Sequence, residues 1–166
     1  YGEGFVPRLR KGNGAYLWGI AAPLLDHAGN IVGAVESLRD ITEKRHMEQA
    51  LHESEDRYRS FVENASDIIF CTDNNGHFTL VNPALLRILG YKKEEIIGKH
   101  YRMLIRTDMV DAAIKFFELQ FVREIECTYS EYPVCTKDGR ELWFGQNVRL
   151  IREGGHIVGF HAMARD

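Results

Sequence analysis

The side chains best suited to chemistry in this chain are three cysteines, Cys71, Cys127 and Cys135, and seven histidines. The cysteines are odd in number and none stands in a Cys-x-x-Cys pair, so they form neither a zinc knuckle nor a disulfide framework. That usage fits a reducing compartment, and a cytoplasmic location is expected. His156 and His161 are five positions apart, which on a strand sends them to opposite faces. His46 and His52 are six apart, which on a helix does not bring them together as an i, i+4 pair would be. No metal ligand set and no catalytic residue is therefore expected. An enzyme pairing one cysteine with a histidine has no supporting spacing and stays a remote alternative, which loss of turnover on a single Cys→Ser change would revive. Cys71 reads as a small buried apolar residue rather than a redox switch.

The elements that would position these groups need a core. The chain has 166 residues, 45% of them hydrophobic and 27% charged, with a net charge of −3. Those values suit a globular domain and argue against a nucleic-acid grip or a polybasic membrane patch. The longest apolar stretch, Ala15 to Leu25, carries Gly19 and Pro23. It falls well short of the roughly 20 apolar residues a membrane helix needs. No membrane contact is expected from this segment. Tyr1 in place of Met reads as the interior of a longer protein, which can still be membrane-anchored elsewhere.

A repeat organises the chain. Residues 29–40 read GNIVGAVESLRD and residues 155–166 read GHIVGFHAMARD, an offset of 126 (155 − 29). At the same offset Lys11, Gly19 and Leu24 fall on Lys137, Gly145 and Leu150. Each copy reads as a β-hairpin. In the second, Glu141 to Ile151 turns at Gly154-Gly155 into Ile157 to Ala164. Asp138-Gly139 joins that hairpin to a preceding strand, Tyr132–Lys137, and suits a turn with positive φ at both central residues. Two earlier strands, Asp67–Thr72 and His77–Asn82, meet at Asn75-Gly76. Between the strand groups lie helical segments: Ala84–Leu89 ended by Gly90, Lys93–Ile97 stopped by Gly98, and a longer helix N-capped by Thr107 or Asp108 and running through Val122. Hairpins with helices inserted between them mean an α+β fold.

From Glu43, with Thr42 as N-cap, the pattern changes to a charged helix. Met47, Leu51, Ser54, Tyr58, Phe61 and Ala65 alternate four and three apart, a short heptad seam weakened by Ser54. Two readings stand. Either the helix only docks on its own domain, or Met47, Leu51, Tyr58 and Phe61 also form a dimer seam.

These residues together resemble a PAS domain. The resemblance rests on DIIFCTDNNGHFTLVNPALLRILGY (67–91), EEIIG (94–98), KDGRELWF (137–144) and GHIVGFHAMARD (155–166). LRDIT (38–42), followed by a charged helix, is similar to the exit of one PAS domain into the next. The resemblance implies residues 1–42 as the last strands of an upstream, truncated PAS domain, 43–63 as a linker helix and 64–166 as a PAS domain lacking its output helix. It implies a five-stranded antiparallel sheet with helices between its second and third strands, around a possible small-molecule pocket. It also implies a sensory and relay role in a multidomain protein such as a sensor histidine kinase, with an output domain elsewhere in the same chain, and a homodimer. A ligand-free dimerisation and transmission module is the alternative.

The cofactor is unknown. The familiar haem-binding PAS domains place an axial histidine on the long helix, and Met109–Val122 contains none. Photoreactive flavin domains carry an Asn-Cys-Arg-type motif, whereas this chain has Asn82-Pro83-Ala84. Both groups are disfavoured, with His100 and His161 leaving non-standard haem ligation open. His52, in the linker helix, is not expected to be a phosphoacceptor. Pocket candidates are Phe70, Asn82, Phe117, Phe121, Trp143 and His161, with plain core as the competing reading for the aromatics. Asn82 either holds the strand-to-helix corner or is a plain turn residue. Asp40, Thr42 and Asp166 are the candidates for signal coupling.

Overall fold

The computed structural model describes all residues except 8, 10, 12 and 166. Asp166 thus lies outside the described residues. The chain divides into two units, Tyr1–Tyr58 and Arg59–Asp166.

In the first unit β1 (Gly2–Val6), β2 (Ala15–Leu25) and β3 (Ile31–Asp40) form an antiparallel sheet in that order. Asp26 organises the β2–β3 turn: its carboxylate accepts from the Ala28 and Asn30 amides, and Gly29 takes a φ of +82°. Helix α1 (Thr42–Asn64) follows directly. It takes in Thr42 instead of starting after it. The Thr42 hydroxyl accepts from the Tyr16 amide at 2.8 Å while Asp40 accepts from the Thr42 amide at 2.9 Å, so this junction closes the end of the β2–β3 ladder. No helix among the described residues is long and apolar enough to cross a membrane.

The second unit holds a five-stranded antiparallel sheet, with β4 (Ile68–Asp73), β5 (Phe78–Val81), β6 (Cys127–Cys135), β7 (Glu141–Glu153) and β8 (His156–Arg165) in the order β5-β4-β8-β7-β6. Helices α2 (Pro83–Leu89), α3 (Lys93–Ile96) and α4 (Val110–Val122) connect β5 to β6. Alternation along the strands sends Phe144 and Ala164 into one core cluster and Val148, Leu150, Phe160 and Ala162 into a second. The α+β expectation and the five-stranded sheet both hold.

Several local expectations change. β6 starts at Cys127 rather than Tyr132, because its pairing runs the full length from Cys127–Arg149 to Cys135–Glu141. The long helix starts at Val110, after a 3-10 turn over Thr107–Met109, and no side chain caps it. The turns at Asn75-Gly76 and Asp138-Gly139 carry positive φ only at the glycines, +82° and +85°. They are three-residue loops in which glycine supplies the left-handed position. Only Gly154-Gly155 has both residues positive, at +56° and +86°.

That difference in turns shifts the repeat. Gly19 lies opposite Leu38, whereas its counterpart Gly145 lies opposite Arg165, not Ala164. The two hairpins share a sequence pattern and differ by one residue in register.

Candidate functional site

The inner face of the five-stranded sheet and α4 enclose a cavity of about 60 Å³. Aromatic rings form much of its wall. Phe70 meets Phe78 edge-on at 5.4 Å, Tyr101 meets Phe117 at 5.4 Å, and Phe117 meets Phe160 at 6.4 Å. These geometries let ring edges face ring planes, which rigidifies the wall. No charged side chain lines the cavity.

Its polar groups are few. Thr72, on β4, is 5% exposed and Gln146, on β7, is 8% exposed. One end of the Gln146 amide reaches Ser130 Oγ at 3.5 Å. Among the described residues the other end of that amide and the Thr72 hydroxyl have no hydrogen-bond partner. The Tyr101 hydroxyl is pushed up to about 12, chiefly by burial and then by the charge of Glu118, so it stays protonated across the physiological range.

Two further side chains hold this site in shape. Asn82 is 1% exposed. Its Oδ1 accepts from the Ile69 and Leu85 amides, and its Nδ2 donates to the Asp67 and Val62 carbonyls. It therefore caps α2 and joins the start of β4 to the end of β5. Gln120, also 1% exposed, donates to the Ile125 and Val148 carbonyls and accepts from Thr128 at 2.7 Å. It ties the last turn of α4 to β6 and β7. Sequence reasoning missed Gln120, Thr72, Gln146 and Tyr101. A polar residue on the apolar face of a predicted helix was the available signal for Gln120.

Of the six pocket candidates, Phe70 and Phe117 line the cavity. Asn82 lies outside it, in the corner just described. Phe121 lines a separate surface cleft beside the Asn74–Gly76 turn; Tyr101, Phe117 and Phe160 line both spaces. Trp143 and His161 are corrections. Strand alternation puts them on the outer face of the sheet, where Trp143 is 57% exposed and His161 sits between Cys71 and Arg149. Burial and the Arg149 charge both hold the His161 pKa below its usual value. His100 lies at the cleft, where its Nδ1 accepts from the Arg102 amide at 3.2 Å. Neither histidine lines the cavity. Among the described residues no group of three His, Cys, Asp or Glu side chains is placed to hold a metal. The seam residues Met47, Leu51, Tyr58 and Phe61 are all exposed on α1.

Comparison with known proteins agrees with this architecture. A family model described as the PAS fold matches residues 56–166. An uncharacterized protein of Sinorhizobium fredii, y4lL, is 28% identical over 164 residues, covering 96% of this chain and 20% of its own length. Sporulation kinase E of Bacillus subtilis is 45% identical over 51 residues, 31% of this chain and 7% of the kinase. The chain thus spans a fifth or less of these curated relatives. A domain of a sensory box sensor histidine kinase/response regulator from Geobacter sulfurreducens has 28% identity and a TM-score of 0.58, over 70% of this chain and 96% of that one. With the ordered strands, the inserted helices and the matched residues in agreement, this chain belongs to the PAS family.

Proposed function

We propose that this chain is a sensory and relay module of a multidomain signalling protein, non-catalytic in itself, that binds a small molecule in the cavity behind the five-stranded sheet. The observation that carries this is the aromatic-walled cavity, onto which the Thr72 hydroxyl and the Gln146 amide open. Among the described residues no fully buried side-chain polar atom lacks a partner, so these two groups keep accessible positions on the cavity that a ligand can hydrogen-bond. The resemblance to sensor-kinase PAS domains supports the signalling role, an output domain in the same chain and a cytoplasmic setting. Residues 1–42 are then the end of a preceding PAS domain, and Asp40 and Thr42 couple it to the linker helix. Ligand binding acts by favouring one of two arrangements of sheet and helices, to the extent that it binds them unequally. Native mass spectrometry of the full chain tests the reading: a mass above the polypeptide's that leaves on activation supports it. A bare polypeptide mass that no metabolite extract changes goes against it.

A second reading has its own observation. Met47, Leu51, Tyr58 and Phe61 form an exposed stripe on α1. A homodimer through that stripe makes the chain a dimerisation and transmission module, with or without a ligand. Light scattering checks this: a concentration-dependent dimer that Leu51→Glu abolishes supports it, and a monomer in both proteins overturns it.

A further inference from the structure

The chemistry of the cavity sets limits on its occupant. Resting on the ligand-binding reading above, we infer that the site takes an uncharged molecule of about four heavy atoms or fewer, apolar except for one hydroxyl. A cavity of about 150 Å³ lined by aliphatic and aromatic side chains holds benzene. The present one is about 60 Å³, room for a short-chain alcohol but not for a flavin or haem. Charge is excluded by the lining, which offers no lysine, arginine or histidine to pair a buried anion and no carboxylate to pair a cation. A purely apolar occupant would leave Thr72 and the free end of the Gln146 amide unsatisfied. A hydroxyl both donates and accepts, so it serves either group. The aromatic wall of Phe70, Phe117 and Phe160 covers the carbon chain.

The test uses 1-propanol and acetate, a neutral and an anionic probe of equal heavy-atom count, titrated into the full chain. Methyl NMR follows Leu85, Val134 and Val148, all of which line the cavity. Propanol is expected to shift these methyls saturably, with a Kd no tighter than about 40 μM, the ceiling for four heavy atoms. Acetate is expected to shift none of them. Thr72→Val keeps the shape and removes the hydroxyl, and should weaken propanol about five- to tenfold. Val148→Phe fills the space and should abolish saturation, with a cooperative thermal melt showing that the variant folds. Saturation by acetate, or by flavin mononucleotide or haemin added in its place, overturns the ligand class and leaves ligand sensing standing. Saturation by none of the probes overturns the class and, with a bare native mass, the ligand-binding reading as well. An unchanged propanol affinity in Thr72→Val overturns the assigned hydroxyl contact.

Discussion

The hairpins β2–β3 and β7–β8 carry one pattern at an offset of 126 residues, yet one is bare and the other is the heart of a core. Leu24 is 49% exposed and its counterpart Leu150 is 8% exposed. Ile31 is 73% exposed, while Ile157 is partly buried against the second core cluster. In β7–β8 an extra strand, β4, pairs with β8 and α4 covers the inner face. Apolar alternation therefore encodes the hairpin, but the elements around it decide whether its apolar face leaves water. The free energy of burial, about 25 cal/mol per Å² of apolar surface, belongs to the second copy far more than to the first.

Glycine makes the sharpest test of that contrast. Gly159 and Gly33 are repeat counterparts. A Cβ on Gly159 would lie 2.0 Å from the Thr72 carbonyl oxygen, whereas one on Gly33 would meet only Leu24 Cδ1 at 3.8 Å. Gly159→Ala must push β4 from β8 and is expected to cost about 4 kcal/mol or more in urea unfolding. Gly33→Ala should cost less than about 0.5 kcal/mol. Equal effects would break the comparison. Next in size is the same leucine in both copies. Leu150→Ala should lose about 2–4 kcal/mol, and Leu24→Ala less than about 0.5 kcal/mol. A large loss at Leu24, read from its unit's own melting transition, would mean that its exposed face is covered in solution.

Smaller again is the junction that closes the first hairpin. Thr42→Val removes the acceptor for the Tyr16 amide and should lower the stability of the first unit by about 1 kcal/mol. Hydrogen exchange at Tyr16 reads it directly.

The smallest effect is one of pH, and it belongs to the second unit. Burial holds the pKa values of His100 and His161 below the usual 6.5. The unfolded chain then binds more protons than the folded one as pH falls through about 6.5, so stability drops there and is fully present above it. Protonated His100 also loses its bond from the Arg102 amide. A melt at pH 5.5 should fall below one at pH 7.5, and His100→Asn together with His161→Gln should flatten the difference. An unchanged slope in the double variant would remove the histidines as its cause.

Much of this architecture was legible in the sequence because its signals are local. Gly76, Gly90, Gly98 and Gly139 mark the ends of elements, and all take positive φ. The order of strands and helices followed from them. The site was less legible. Phe70 and Phe117 face the cavity, but Trp143 and His161 needed the parity of their strands, and parity is fixed by pairing rather than by composition. The one-residue difference in register between the copies shows the same limit: it comes from a two-glycine turn in one and an aspartate-organised loop in the other. Thr72 and Gln146 carried no signal at all, since an isolated polar residue on a strand looks the same facing water or facing a cavity.

Gln120 gives α4 a mechanical character. Two of its side-chain bonds anchor the C-terminal turn to β6 and β7 and a third holds the Ile125 carbonyl just beyond the helix, while the N-terminal turn, opened by Met109, has no side-chain cap. The N-terminal end is held by packing alone, with Met109, Val110 and Ala113 against the second core cluster, and directed hydrogen bonds resist displacement more than packed side chains do, so α4 is expected to pivot about the Gln120 clamp and not to slide along its axis. Force applied at the cavity wall through Phe117, one turn before the clamp, thus appears as sweep at the Val110 end, where the lever arm is longest.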